Sequence, residues 1–550
     1  MDQGVVPAPV VVGAVPQPAR ERTPSRNANM ATVIDTIHSD TRANQESLGI
    51  GGEAIRDAQP VNDRALRSDY ASRQHIFPSR VRGKFRTAKW ILVAILLGIY
   101  WAVPWIRWDR GLTAPDQAVL LDLARRRFYF FGVEIWPQEF YYVAGLLIMA
   151  ALGLFLVTSV AGRAWCGYAC PQTVWTDLFI AVERWVEGDR NARRRLDAAP
   201  WSVGKLRKRL TVWTAWLAIA MATGGAWVFY FADAPTLVAD IVHGTAAPAA
   251  YMTIALLTAT TFWLAGFMRE QVCTYMCPWP RIQGTMLDEH SLIVTYNDWR
   301  GEPRSRHAKK EIAAGNDVGD CVDCDACVAA CPMGIDIRNG QQLECITCAL
   351  CIDACDRVMD KVGKPRSLIS YSTLADYQHH TDAVASFGRP AARDQQKGPS
   401  LSKVLRPRVV VYIALWTAIG LAMAVALALR GETSVTVLHD RAPLFTTLSD
   451  GSVRNGYQLK LVNKAVFPRE LVVGLEGLPD AALWTADDER RSRAVRALVP
   501  ADAVLDLRVF VLRPPESAAP GDLTFVVTDP QSGESVRETT RFEAKERPRR

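Results

Sequence analysis

Cys321-Val-Asp-Cys324-Asp-Ala-Cys327-Val-Ala-Ala-Cys331-Pro332 is followed by Cys345-Ile-Thr-Cys348-Ala-Leu-Cys351-Ile-Asp-Ala-Cys355. The first stretch is the C-x2-C-x2-C-x3-C-P run of bacterial two-cluster ferredoxins. The spacing has a physical reason. A tight loop offers three thiolates to three corners of one cube, and the fourth sulfur, on the helix that follows, points to the other cube. The second stretch repeats the spacing with Asp356 where proline is usual. That departure touches the turn and leaves the ligand set whole. Cross-ligation assigns Cys321, Cys324, Cys327 and Cys355 to one [4Fe–4S] cluster, and Cys331, Cys345, Cys348 and Cys351 to a second. Structural zinc also takes four cysteines, but eight in a doubled pattern argue for iron–sulfur. Two adjacent clusters make a wire for single electrons.

Four of the twelve cysteines remain. They stand in Trp165-Cys166-Gly-Tyr-Ala-Cys170-Pro171 and Cys273-Thr-Tyr-Met276-Cys277-Pro278, a weak internal repeat in which each Cys-x3-Cys-Pro closes an apolar run. If the helix continues, cysteines at i and i+4 share a face. If proline opens a new helix, the second cysteine is its N-cap, where the positive helix end favours a thiolate. Buried inert thiols are the plainer alternative. Two such pairs point to a shared soft-metal site at Cys166, Cys170, Cys273 and Cys277, with Met276 nearby, suited to Cu(I). His243 and His290 read as hydrogen-bonded surface groups.

Outward from these motifs, the 550-residue chain is too long for one compact domain. Five uncharged stretches of bilayer-spanning length run over Trp90–Ile106, Phe140–Ala161, Leu210–Ala232, Gly244–Met268 and Val409–Leu429. Their flanks set a topology. Lys and Arg crowd residues 80–89 and 163–209 and are absent from Asp233 to His243. By the positive-inside rule the 162–209 and 269–408 segments are cytoplasmic and the C-terminal part lies outside. Arg125, Arg126 and Arg127 sit in an outer loop against that rule, with Asp116, Asp122, Glu134 and Glu139 as neighbours to pair with. The net charge of +7 is thus membrane topology, and nothing resembles a nucleic-acid groove. Trp175, Leu178, Phe179, Val182, Trp185 and Val186 fall on one helical face, which predicts an interfacial helix over 172–187 lying on the membrane surface.

The expected architecture is a multi-pass α-helical membrane protein with an inserted two-cluster ferredoxin-like domain and a C-terminal immunoglobulin-like β-sandwich. Residues 1–80 read as a disordered cytoplasmic tail, with Met30 as an alternative start. Residues 81–270 hold four spans, 271–408 a cytoplasmic region with the cluster domain at about 315–360, 409–429 the fifth span, and 430–550 a periplasmic sandwich. Alternating segments Ser434–His439, Tyr457–Asn463, Glu470–Leu475, Val504–Leu512 and Leu523–Thr528 predict its strands, with Asp450-Gly451, Asn455-Gly456 and Pro520-Gly521 as turns. It has no cysteine, hence no disulfide.

Together with Arg127-Phe-Tyr-Phe-Phe-Gly132, Trp136-Pro-Gln138, Cys273-Thr-Tyr-Met-Cys-Pro-Trp-Pro-Arg281 and Tyr457-Gln-Leu-Lys-Leu-Val-Asn-Lys464, these motifs resemble the cytochrome c oxidase accessory protein family (CcoG/FixG, also called RdxA). The resemblance runs from about residue 75 onward. It implies a bacterial inner-membrane oxidoreductase that reduces Cu(II) to Cu(I) during maturation of the cbb-type cytochrome c oxidase. Its partners would be membrane lipid, an unidentified electron donor, copper carriers and oxidase assembly proteins, with homo-oligomerisation open. The rivals are a quinol-linked electron-relay subunit and a copper-binding scaffold without turnover.

Overall fold

The computed structural model describes residues 75–111, 114–387, 405–465, 467–488 and 490–545. Most of the expected N-terminal tail lies outside the described residues. Among them, five helices are long and apolar enough to cross a membrane: Lys84–Trp105, Pro137–Ala161, Val203–Tyr230, Pro248–Met268 and Pro407–Ala428. Their regular α-helical parts are α1 (Lys84–Ala102), α2 (Tyr141–Ala161), α4 (Val203–Thr223), α5 (Pro248–Trp263) and α7 (Pro407–Ala428). Two more helices matter to the site, α3 (Pro171–Glu187) and α6 (Leu350–Lys361). Proline opens α3, α5 and α7, where its missing N–H costs no helical hydrogen bond.

The first span begins earlier than hydropathy suggests. Arg86 and Lys89 are buried, and both pair with Asp177 of α3, at 3.0 and 2.8 Å. Asp353 of α6 accepts the backbone N–H groups of Phe85 and Arg86, satisfying donors that a helix start leaves open. The fourth span begins later, at Pro248. Gly244, at φ 75°, ends a separate helix, Ala234–His243, in the left-handed conformation that glycine permits.

Most of the apolar stripe of helix α3 is covered by the bundle, with Trp185 left exposed, and this differs from the expected membrane-facing stripe. Its apolar face packs into the bundle, where Phe179 stacks on Trp216 of α4 with centroids 5.1 Å apart. Its opposite face is also covered. Asp177, Glu183 and Glu187 are buried there and meet Arg86, Lys89, Arg193, Arg209 and Arg269.

Strands β1 (Val119–Asp122), β2 (Arg127–Phe130) and β3 (Val133–Ile135) form an antiparallel sheet between the first two spans. Arg127 pairs with Glu134 at 3.0 Å and with Asp502 of the C-terminal domain at 2.6 Å, and Arg125 with Asp122 at 3.6 Å. The arginines at 125 and 127 thus both have the acidic partners expected of them. Strands β4 (Ile293–Tyr296) and β5 (Ile369–Ser372) form a short antiparallel ribbon flanking the cysteine-rich segment.

The C-terminal sandwich has two antiparallel sheets. One is ordered β10-β12-β8-β6, with β7 added to β8: Ala482–Thr485, Ala503–Arg513, Val453–Asn463, Thr433–His439 and Thr446–Thr447. The other is β11-β9-β13-β14: Ala494–Val499, Arg469–Glu476, Gly521–Thr528 and Ser535–Phe542. Tyr457, Leu459, Leu461, Val473, Phe525 and Phe542 meet between them, each fully buried. Asn455-Gly456, expected as a turn, lies inside β8. Asn455 is buried and bonds both backbone groups of Glu543, at 2.8 and 2.9 Å, while Gly456 leaves room for the Asp440 carboxylate. The sandwich docks through Lys464 and Arg430 on Glu139, at the Pro137 end of the second span. Arg406, at the start of α7, instead meets the Ser159 carbonyl at the far end of that span. The cysteine-rich module and the sandwich therefore occupy opposite ends of the helix bundle.

Candidate functional site

The two ligand loops share one backbone. Asp323 and Asp325 bracket Cys324 at φ 47° and 57°, and Thr347 and Ala349 bracket Cys348 at φ 50° and 59°. Such left-handed residues turn successive N–H groups to one side. Accordingly the backbone N–H groups of Asp323, Ala326, Thr347 and Leu350 are hydrogen-bonded to the sulfurs of Cys321, Cys324, Cys345 and Cys348. Across the module, Cys355 stands in electrostatic range of Cys324 and Cys321, and Cys331 in range of Cys348 and Cys345. Cys351 stands in range of Cys348, Cys345 and Cys331, and also of Cys327.

The donor set fits two cubes of iron and sulfur. Burial pushes all eight thiols up, Cys324 and Cys345 to about 11 and Cys331 to about 12. Thiolates this deep need a cation to hold them. Among the described residues no group of three or more His, Cys, Asp or Glu is placed to hold a single metal ion. A cube keeps its ligand sulfurs farther apart than one ion does.

Arg338 joins the first loop to its surroundings. It reaches Asp323, Asp325 and Asp336, each at 2.7 Å, and lies in electrostatic range of Cys327 and Cys321. Nothing in its sequence neighbourhood marked it. The Tyr296 hydroxyl of β4 donates to Glu302 at 3.0 Å within electrostatic range of the Cys321 sulfur, and Tyr371 of β5 donates to the Thr347 carbonyl at 2.6 Å. Each strand of the ribbon therefore braces one ligand loop.

The other four cysteines also come together. Cys166 is in electrostatic range of Cys170 and Cys277, and Cys273 of all three. Neither Cys-x3-Cys lies on a continuous α-helix. Cys166 sits in the short helix Ala164–Tyr168, and Cys170 is extended, as N-cap of α3. In the second segment Leu264–Met268 and Val272–Met276 are π-helical turns, broken apart by Arg269 at φ 45°. Such turns are frequent at functional sites. Cys277 is extended before the helix Trp279–Met286. Burial pushes Cys166 and Cys273 up to about 12. Met276 is exposed on this loop. His243 bonds the Ala239 carbonyl and His290 lies by Glu289, so neither enters the site.

Two further residues hold the site and were not foreseen. Gln283, fully buried, accepts from the Cys166 thiol at 3.2 Å and donates to Thr158 at 3.2 Å. Arg163 bonds the carbonyls of Pro280 and Leu343, tying both Cys-Pro segments to the second ligand loop. Cys166, Cys273, Cys331 and Cys345 pack against one apolar cluster built on Met333, Ile335, Ile346, Cys348 and Leu350. Gly167 presses on that loop. A Cβ there would stand 2.6 Å from the Ile346 carbonyl oxygen and 3.0 Å from the Cys348 Cα. The four-thiol site thus abuts the second ligand set.

Residues 268–374 match the family described as a 4Fe-4S dicluster domain, residues 143–191 a 4Fe-4S binding domain, and residues 423–545 the IG-like fold at the C-terminus of FixG, putative oxidoreductase. The chain is 57% identical to nitrogen fixation protein FixG of Rhizobium meliloti, over 87% of this chain and 94% of that one. To protein RdxB of Cereibacter sphaeroides it is 54% identical, over 87% and 98%. The chain belongs to the FixG (CcoG) family. Protein RdxA of the same organism is 53% identical over 74% of this chain and 83% of its own. As a FixG-family member the chain is an iron–sulfur redox protein of the membrane, with an immunoglobulin-like C-terminal domain.

Cross-ligation makes a prediction for this FixG-family chain. Cys324→Ser should damage the cluster of the first loop and Cys331→Ser that of the second, although both residues stand in the same run. Electron paramagnetic resonance of the reduced variants should then lose different signals. Loss of the same signal in both would refute the assignment.

Proposed function

We propose that the protein is a cupric reductase, passing electrons one at a time to Cu(II) held at Cys166, Cys170, Cys273 and Cys277 and releasing Cu(I). The observation that carries this reading is the seating of the four thiols directly against the second ligand loop; as they stand they are too far apart to share one ion, so copper would have to draw them together. Bound clusters would supply single-electron storage. The chain's own contribution is to seat Cys166 against Gln283, to tie the Cys-Pro segments to the second ligand loop through Arg163, and to offer soft ligands that favour Cu(I) over Cu(II). We place the protein in the inner membrane of a bacterium, the cysteine-rich module cytoplasmic and the sandwich periplasmic, on the Lys/Arg asymmetry of the loops. Its product would feed copper carriers in the maturation of the cbb-type oxidase.

Dithionite-reduced protein, freed of excess reductant, should convert Cu(II) to Cu(I) in proportion to its stored electrons. A Cu(I)-specific chromogenic chelator reports the product, and fading iron–sulfur absorbance reports the source. Changing all four cysteines to serine should leave the ferredoxin-loop iron in place and suppress copper binding and reduction. Wild-type rates in that variant would remove these thiols from the reaction.

A second reading is favoured by the match of residues 143–191 to a 4Fe-4S binding domain, a stretch whose two cysteines are Cys166 and Cys170. On that reading the four thiols hold a third cluster. Iron analysis separates the two: about eight irons per chain for two cubes, about twelve for three.

A further inference from the structure

A cavity of about 460 Å³ lies between α1, α4, α5 and the start of α3. That is ample for a small-molecule ring. Leu97, Leu257 and Leu264 form its apolar body, and Trp175 and Trp227 line it as indole walls. Ala169 and Pro171, the two chain neighbours of Cys170, also line it, so it borders the four-thiol site.

Five polar side chains line the same cavity, and four of them direct their protons away from it. The Tyr100 hydroxyl donates to the Thr223 carbonyl at 2.6 Å, and the Thr223 hydroxyl to the Ile219 carbonyl at 2.7 Å. The Thr260 hydroxyl donates to the Leu256 carbonyl at 2.9 Å. The Gln172 amide donates to the carbonyls of Leu264 and Arg269, at 2.9 and 3.2 Å. What these four have left for a ligand is acceptor oxygen, while the Thr261 hydroxyl and the indole N–H groups of Trp175 and Trp227 can donate. An apolar cavity with acceptors and donors on its wall suits a flat apolar ring that passes between O–H and carbonyl forms. A lipid tail offers neither.

We propose that this cavity binds a membrane hydroquinone, which is the electron donor to the four-thiol site. The hydroquinone loses its two O–H protons to water and two electrons to the protein, and leaves as the quinone. Resting on the cupric reductase reading, those electrons reduce two Cu(II) to two Cu(I), one at a time.

The test uses the full-length, iron-loaded protein in quinone-free nanodiscs without oxygen, with decyl-ubiquinol as the probe. Equilibrium binding should show one site for the quinol. An azido derivative of the probe should label peptides containing Tyr100 or Gln172. Tyr100→Phe and Thr260→Val each remove one acceptor and should weaken binding roughly three- to tenfold, about the worth of one hydrogen bond. Leu97→Trp should fill the cavity and abolish binding. Labelling elsewhere, displacement by added phospholipid, or undiminished binding in the variants would each overturn the assignment. The reductase reading fails separately. Leu97→Trp protein reduced by dithionite should still reduce copper at the wild-type rate, because dithionite bypasses the cavity.

Discussion

Replacing Glu183 by glutamine should destabilise the protein by about 3–5 kcal/mol, the usual consequence of removing one partner from a buried ion pair. Glu183 is 1% exposed and stands between two guanidiniums, Arg193 and Arg269, themselves 1% and 3% exposed at their side chains. Glutamine keeps the shape and removes the charge, leaving two cations facing each other in a site with little water. Burial alone would raise the Glu183 carboxyl, but Arg269 and Arg193 more than offset it and hold the group below its ordinary value. The carboxylate's contribution is therefore complete above the unfolded-state value near 4.5 and is lost as pH falls through the lower folded-state value.

Arg269 links this triad to the site. It donates to the Gly266 carbonyl at 2.7 Å and lies over the Trp216 ring, and its left-handed backbone breaks the fourth span just before Cys273. Loosening Arg269 should thus disturb Cys273 as well as stability. Titrating detergent-solubilised protein with SDS measures the first effect, and thiol labelling at Cys273 in a background without the other accessible cysteines measures the second. Glu183→Leu combined with Arg193→Leu and Arg269→Leu should recover much of the loss, because an apolar replacement leaves no charge stranded. A single-variant cost below about 1 kcal/mol would show that water reaches the triad.

Why α3 was misread from sequence follows from the same residues. Its apolar stripe was legible at helical spacing, and so was the charge of its other face. What the local pattern cannot carry is that Arg86 and Lys89 come from the first span, and Arg269 from the end of the fourth, to meet those carboxylates. The ferredoxin runs were legible because their chemistry is written in local spacing. Cross-ligation needs only the direction of one helix after each loop. Arg338, Gln283 and Gly167 were not legible, since each matters through a contact with a distant segment. Asn455-Gly456 failed for a related reason. Its dipeptide is a strong local turn signal, overridden by Glu543 on one side and Asp440 on the other.

Gly167→Val should uncouple the cysteine-rich module from the four-thiol site while leaving its iron in place. The side chain would have to occupy space held by backbone, the Ile346 carbonyl and the Cys348 Cα and N, at 2.6 to 3.1 Å from its first carbon. Backbone cannot swing aside as the end of a flexible side chain can. The ligand loop is also braced by Tyr371 on the Thr347 carbonyl and by Tyr168 on the Cys348 carbonyl, at 2.6 and 3.3 Å. The strain is therefore relieved between the two segments, by opening their seam, and overpacking of this kind costs about 1–3 kcal/mol. The expected result is unchanged iron content with copper reduction by the dithionite-loaded protein slowed about a hundredfold, the order of loss that a 1 Å misplacement of reacting groups brings. Stopped-flow fading of the iron–sulfur absorbance on mixing with Cu(II) measures it. Gly167→Ala, which adds only the first carbon, should fall between the two. If the valine variant keeps its iron and fades at the wild-type rate, electrons leave by another face of the module, and the contact between Gly167 and the second ligand loop is not their route.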